Sequence, residues 1–453
     1  LADGEGFFLE DGGILVRGGD IEAVGPSEEI RRRCEEDGTE VISVGGRPVF
    51  PGFLNAHHHL YSSLTAGIAP RGAVTDFISN LELLWWHLDG VHDEESVYWS
   101  ALWGLAQGIR AGVTAVIDHH ASQSFVRGSL AMEARAFRDA GVRGVLCFET
   151  SDRGPGTVED QLEENIDFFR SVASSDDLRG VMGLHASLTL GEESLRRVAR
   201  RRPPSMPVHV HCGEDRSDRE RCRDWGYLGP VDRLARFGLL DQSSLLVHCL
   251  HLDEAEYPLL EELGCWVLAN PESNAKNGVG RLDQHRLSRW VLGTDGMTGN
   301  MLASLRSAFL LGDPGGDALG LLGEAFFVRG HELARQFFPG VGRLVPGAPA
   351  DLAVVDYSPV TPLTRENLMG HLVFGAQGAE AFITAVRGRS CGGREDLRSS
   401  TKRSSAGAPG KRRPGYGGAL RKGPPEGTAP PSRRGFRDFG WGPQGSGGKA
   451  PGP

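Results

Sequence analysis

Lysine is nearly missing from this chain: arginine outnumbers it 44 to 5, and only Lys276 precedes residue 391. Cysteine pairs at metal or redox spacing are missing as well. The seven cysteines (34, 147, 212, 222, 249, 265 and 391) are odd in number, scattered, and include no CxxC. That excludes a disulfide framework and points to a reducing cytoplasm. No run approaches the ~20 apolar residues of a membrane-spanning helix, so no membrane partner is expected. Leu1 to Glu10 has neither a basic n-region nor an apolar h-region, so no secretory signal is visible. A basic balance is lacking too. The 453 residues carry a net charge of −10, which argues against a nucleic-acid partner. What remains is the composition of an ordinary globular enzyme, 39% hydrophobic and 24% charged. Such a chain has room for two or three domains, or for one large α/β barrel.

The charge is uneven. Residues 391–453 hold 13 basic and 4 acidic side chains, 16 Gly and 9 Pro. Among Val, Ile, Leu and Met they contain only Leu397 and Leu420. Residues 1–390 are left with a net charge of −19. A segment so poor in apolar side chains cannot offset its ordering entropy and is expected to be a disordered basic tail. Its origin has three readings. A GC-rich gene read in a shifted frame yields Gly, Arg, Pro and Ala, and the arginine bias fits such a gene. Native disorder without a role is the second, and an RNA-binding arm the third.

Residues 12–50 alternate in short apolar runs, Ile14-Leu15-Val16, Ile21–Val24 and Val41–Val44, punctuated by Gly pairs. They read as part of a small antiparallel β-sandwich. The same signal returns in Asp351–Asp356 and Ala381–Gly388. Between these stretches, apolar strands alternate with helices such as Glu94–Gly112, which places Val97, Ala101, Leu105 and Ile109 on one face. Repeated βα units of this length predict a (β/α)8 TIM-like barrel. The expected organisation is therefore α/β. Residues 1–50 and 341–390 form the two parts of the sandwich, 51–340 the barrel, and 391–453 the tail.

Chemistry gathers at the predicted strand ends. Asn55-Ala56-His57-His58-His59 closes a strand in which His57 and His59, two apart, face one side and His58 the other. Val208-His209-Val210-His211 closes another, with Glu214 three residues beyond. Leu245–His248 ends in His, and Val291–Asp295 ends in Asp. Barrel enzymes place their reacting groups at these C-terminal strand ends. A set of imidazoles and one carboxylate meeting there points to a shared metal ion.

These motifs resemble the amidohydrolase superfamily, in its cytosine deaminase-like and chlorohydrolase branch. The SsnA-type aminohydrolases are the nearer likeness, through Leu83–Asp89 (LLWWHLD), Asp93–Ser96, Val116–Ser122 (VIDHHAS) and Cys147–Arg153 (CFETSDR). The resemblance spans roughly residues 9–388. It implies a metal held by His57, His59, His211 and Asp295. It implies Glu214 as proton shuttle, His248 as polariser of the water, and Asp295 as a ligand that also accepts the water's proton. It implies that Asn274, in Asn270–Asn274, and His185, in Leu184–Ser187, line the pocket. The expected activity is hydrolysis of a non-peptide C–N bond in a small molecule. Deamination of a purine-like heterocycle with release of ammonia leads. Chloride release or cyclic-amide hydrolysis on the same scaffold, and a non-catalytic metal-bound binding protein, are the alternatives.

The resemblance also sets two departures: no strand precedes residue 1, and the tail replaces the strand and helix that should follow Gly388. Some members hold two metals bridged by a carbamylated lysine on strand four. That strand reads Gly180–Ser187 here, without Lys, Glu or Cys. One divalent ion is expected, zinc first and iron second. Other residues remain open between two roles. His119 or His120 faces the pocket, or the pair caps a helix. Glu149 and Arg153 read a heterocycle edge, or form a loop ion pair. Of Trp85 and Trp86, one packs in the core and the other stacks on substrate. His209 stands behind the ligands, Cys212 and Cys249 are small core residues, and self-association is left open.

Overall fold

The computed structural model describes residues 1–392 except 313, 314 and 377. Strands β1 (Gly12–Arg17) and β2 (Asp20–Pro26) pair as an antiparallel hairpin. β3 (Val49–Pro51) leads through Gly52 into β4 (Phe53–His58). Alternating with helices follow β5 (Val113–His120), β6 (Arg143–Phe148), β7 (Leu178–Gly180), β8 (Met182–Ala186), β9 (Val208–Cys212), β10 (Leu245–His248), β11 (Trp266–Ala269) and β12 (Trp290–Leu292). β13 (Leu352–Val355), β14 (Ala381–Val386) and β15 (Arg389–Gly392) complete the strands.

Parallel pairing runs β4-β5-β6-β7 and β8-β9-β10-β11-β12. β7 and β8 share one strand position, interrupted at the buried Val181, with β7 on β6 and β8 on β9. The ring closes where the amides of Thr294 and Asp295 both donate to the His57 carbonyl at 2.9 Å. Gly293 permits that approach, since a Cβ there would lie 2.7 Å from the His57 nitrogen. The expected eight-position barrel is thus present. Its strands are buried on both faces, because helices cover the outside and side chains fill the interior. The helix Glu94–Arg110 shows how the sequence directs this. The Asp93 carboxylate accepts from the Ser96 amide at 2.8 Å and starts the helix. Val97, Ala101, Leu105 and Ile109 are then its buried face; burying a Val, Leu or Ile side chain contributes about 1.5–3 kcal/mol.

Both ends of the described chain build the smaller β region, a sheet ordered β15-β14-β13-β3. The hairpin joins it through Ile21, whose amide donates to the Ala348 carbonyl at 2.8 Å. Small apolar cores combine Ile14 and Ile21 with Leu344 and Ala350, and Val49 with Val354 and Phe382.

Three sequence expectations change. Val41–Val44 is not a strand, and Val41 and Ile42 are exposed. A helix, Ser27–Asp37, precedes it instead and buries only Ile30 and Cys34; two apolar residues in three turns give too weak a period to read. The strand held to be missing after Gly388 is present as β15, which pairs with β14. Cys391 is buried there, its Sγ 3.1 Å from the Gly141 carbonyl. Four residues with one apolar side chain look like tail. Residues 393–453, the rest of the expected tail, lie outside the described residues. Ala2 reaches the β3 edge, donating to the Val49 carbonyl at 3.0 Å. Among the described residues no helix is long and apolar enough to cross a membrane.

The tail boundary is testable. A chain ended after Gly388 loses the β14–β15 ladder and the burial of Cys391, and is expected to melt a few degrees below one ended after Gly392. Equal melting temperatures would show that β15 adds no stability.

Candidate metal centre and active site

The histidines converge at the mouth of the barrel because the strand period sends alternate side chains inward. His57 and His59 face the axis, and His58 turns into the wall, its Nδ1 2.5 Å from the Asp295 carbonyl. Each inward ring is oriented through its far nitrogen. His59 Nδ1 donates to the His119 carbonyl and His211 Nδ1 to the His185 carbonyl, both at 2.7 Å. His57 Nδ1 lies 3.0 Å from His209 Nε2. These contacts turn Nε2 of all three rings toward one point. His59 Nε2 and His211 Nε2 stand 3.2 Å apart. Asp295 Oδ1 is 3.1 Å from His59 Nε2 and 3.8 Å from His57 Nε2, and His57 Nε2 is buried without a partner. With both Nδ1 atoms donating, two facing ring lone pairs would repel across 3.2 Å unless a cation or a proton lies between them. Three imidazoles and a carboxylate fit a divalent zinc or iron ion.

Electrostatics agree. Burial, reinforced by the neighbouring imidazoles, holds His57 and His211 well below the usual histidine range, so both are neutral. Burial also opposes charge on His59, but Asp295 more than offsets it and raises that ring to about 9. Burial likewise opposes charge on Asp295, yet the hydrogen bond from His59 and the charges around it hold the carboxyl well below its usual range. A metal ion held at His59 Nε2 would have to displace a proton from that lone pair.

A second group faces the first. Glu214, His248 and Asp295 each offer an atom within 4.8 Å of the others. Glu214 Oε2 lies 3.4 Å, and Asp295 Oδ2 3.7 Å, from His248 Nε2. The helix Pro271–Asn277 holds all three. Ser273 Oγ donates to Asp295 Oδ2 at 2.6 Å, and Asn277 Nδ2 donates to Glu214 Oε1 at 3.2 Å. His248 Nδ1 donates to Asn274 Oδ1 at 2.8 Å. His248 (φ 71°), Cys249 (φ 54°) and Asp295 (φ 55°) are three of the four non-glycine residues with positive φ among those described. Such conformations cost about 1–3 kcal/mol each and concentrate at functional sites. Burial pushes the Glu214 carboxyl up, despite His248 nearby.

Above the group opens a cleft walled by Tyr61, Phe77, Trp85 and Trp86. His185 lines it, its Nδ1 held by Thr189 Oγ1 at 2.8 Å, and so does Glu149. Arg153 binds Glu149 and also Asp89, the latter at 3.1 Å, and lies 4.8 Å over the Trp86 ring. Burial raises the Glu149 carboxyl to about 8, with Arg153 opposing. His209 stands behind His57, and Cys212 and Cys249 are buried core residues.

Four placements depart from expectation. Asn274 does not line the cleft, because its amide oxygen is taken by His248. His119 faces the axis but lies beneath the rings, 4.6 Å from His211 and 4.8 Å from His209. His120 faces outward to Ser122 and Glu133, as strand alternation requires. Trp85 and Trp86 both line the cleft, at the junction of the π-helical turn Leu81–Trp85 with the turn Trp86–Asp89. Sequence reasoning gave no role to Ser273, Asn277, Asp89 or Tyr61. Their only signal was membership or nearness to motifs already singled out.

The amidohydrolase family model matches residues 49–391. A 5-methylthioadenosine/S-adenosylhomocysteine deaminase of Nitratidesulfovibrio vulgaris is 28% identical over 408 residues, covering 84% of this chain and 87% of its own. Among solved structures, E. coli guanine deaminase superposes with a TM-score of 0.74 at 21% identity, over 86% of this chain and 94% of that one. Atrazine chlorohydrolase TrzN from Arthrobacter aurescens, complexed with zinc, does so at 0.66 and 20%, over 87% and 95%. The chain belongs to the amidohydrolase family and is a hydrolase of carbon–nitrogen bonds other than peptide bonds.

Proposed function

We propose that this protein deaminates a purine-type heterocycle, as base or nucleoside, with one zinc ion held by His57, His59, His211 and Asp295. The observation that carries the reading is the convergence of Glu214, His248 and Asp295 within 4.8 Å of one another beside the three-histidine group. The aromatic walls of the cleft, Tyr61, Phe77, Trp85 and Trp86, suit a planar ring. The named relatives that deaminate nucleosides and guanine support the same class.

A divalent ion in this site supplies Lewis acidity, lowering the pKa of water from about 15.7 towards ~7. The protein's own groups manage the protons. Asp295 Oδ2, steadied by Ser273, accepts the proton that the attacking water sheds. His248 donates Nδ1–H to Asn274, so its Nε2 lone pair is free to accept from that water. Glu214, whose carboxyl burial pushes up, delivers a proton to the ring nitrogen beside the attacked carbon. Left as a carboxylate, it relays the proton held by Asp295 to the departing amine, and the hydroxyl proton released as the carbonyl forms restores its acid form. A basic leaving group needs that proton most, which favours ammonia over chloride. The deciding experiment is a release assay on metal-loaded protein with purines, purine nucleosides, pterins, pyrimidines and a chlorotriazine. Ammonia without chloride is expected; chloride alone would replace this reading with dechlorination, and no product from any compound would revive the non-catalytic one.

Glu214→Gln is expected to retain the metal and lose about 10²–10⁴-fold in turnover. Loss of metal instead, or a near-normal rate, would reassign Glu214. Elemental analysis of active protein should give one ion per chain. Two ions, with activity tracking the second, would contradict the mononuclear site.

A further inference from the structure

We infer that Asn277 is a positioning residue that ties the helical cover of the cleft to Glu214, so that covering the site and orienting the proton carrier are one event. This deepens, and rests on, the role proposed for Glu214. The cover comprises the helix Phe77–Asn80, the π-helical turn Leu81–Trp85 and the turn Trp86–Asp89. Phe77, Leu81, Trp85 and Trp86 form its cleft side. From residue 77 to 87 the one buried residue is polar, Asn80. A buried amide needs a partner, and Asn80 Nδ2 finds it in Asn277 Oδ1 at 3.3 Å.

The other end of the Asn277 amide donates to Glu214 Oε1 at 3.2 Å. The two contacts fix one orientation. A flipped amide would set Oδ1 against the Glu214 carboxylate and Nδ2 against the Asn80 donor. Glu214 takes the donor end of the Asn277 amide, and Asn80, arriving with the cover, anchors the other end. A second contact seats the cover on the same helix, with Lys276 Nζ 5.5 Å from the centre of the Trp85 ring. Trp85 also packs at Gly296, beside Asp295, where a Cβ would lie 2.7 Å from the indole. When the cover lifts, Asn80 leaves, the Asn277 amide loses the anchor at its oxygen, and its hold on Glu214 loosens. Glu214 is thus held most firmly for proton transfer while water is shut out.

The test uses Asn80→Ala, Asn277→Ala, Asn277→Asp and the Asn80→Ala/Asn277→Ala double variant in the full chain. Asn277→Asp keeps the size and can still accept from Asn80, but cannot donate to Glu214. It should hold the melting temperature and KM while kcat falls roughly 10–100-fold, the scale of a hydrogen bond to a charged group. Asn80→Ala should lower kcat in the same direction. The double variant should be no worse than Asn277→Ala, because the two residues act in series. A normal kcat in Asn277→Asp, or a double variant equal to the product of the singles, overturns the tie. Hydrogen exchange reads the cover without substrate. Residues 77–89 should exchange faster in Asn80→Ala and Asn277→Ala, and at the wild-type rate in Asn277→Asp. If the wild-type protein releases ammonia from no compound, the deaminase reading fails alone and exchange decides the tie. Unchanged exchange in both alanine variants rejects it, and faster exchange upholds it.

Discussion

The carbonyl of His57 accepts two amides, those of Thr294 and Asp295, and this shared contact closes the barrel. The same residue supplies an imidazole to the three-histidine group, and Asp295 supplies the carboxylate beside it. Closure and assembly of the site are therefore one structural fact, joining residues more than 230 positions apart in sequence. Gly293 is needed because no side chain fits between the first and last strands. Positive φ at Asp295 follows from the same demand, since the chain must turn over the rim at once to aim its carboxylate inward. The seam's hydrogen bonds and the buried strands around it offset that local cost of about 1–3 kcal/mol.

Orientation then passes outward from the imidazoles. The carbonyls of His119 and His185 fix the rings of His59 and His211. Asp118 steadies the chain beyond His59, its Oδ1 accepting the Leu60 amide at 2.7 Å. On the facing side, a seven-residue helix holds Asp295, His248 and Glu214 through Ser273, Asn274 and Asn277. Prolines and glycines set its ends, with Pro271 opening it and Gly278, at φ 65°, closing it. Buried polar groups at this density are stable only if mutually satisfied. That explains why so many of the helix's side chains point at the site rather than at the core.

What the sequence revealed and what it hid divide along one physical line. Periods of two and 3.6 are local, so the barrel strands and the helix Glu94–Arg110 were legible, and so was the alternation that sends His57 and His59 inward. Short elements with one or two apolar residues were not, which is why Ser27–Asp37 and Arg389–Gly392 escaped notice. Side-chain partnerships across the barrel are not local either. Asn274 sits in a motif whose place in the fold was legible, but no spacing says that its amide turns to His248 instead of the cleft. The π-helical turn Leu81–Trp85, beside which both tryptophans line the cleft, has no signature in the hydrophobic period.

The scarcity of lysine has a structural counterpart at the fourth strand position. β8 presents no lysine, carboxylate or thiolate to the histidine group; its contribution is the His185 carbonyl, which orients His211. In the proposed one-ion site, a position that could bridge two cations serves instead to aim His211. A single ion beside a single carboxylate ligand leaves proton transfer to side chains around it, because one metal activates water but does not move protons to a leaving group. The chain places Glu214, His248 and the free oxygen of Asp295 there and raises Glu214 by burial. The crowding of titratable groups on one side of the histidines is thus what the proposed one-ion reaction would need.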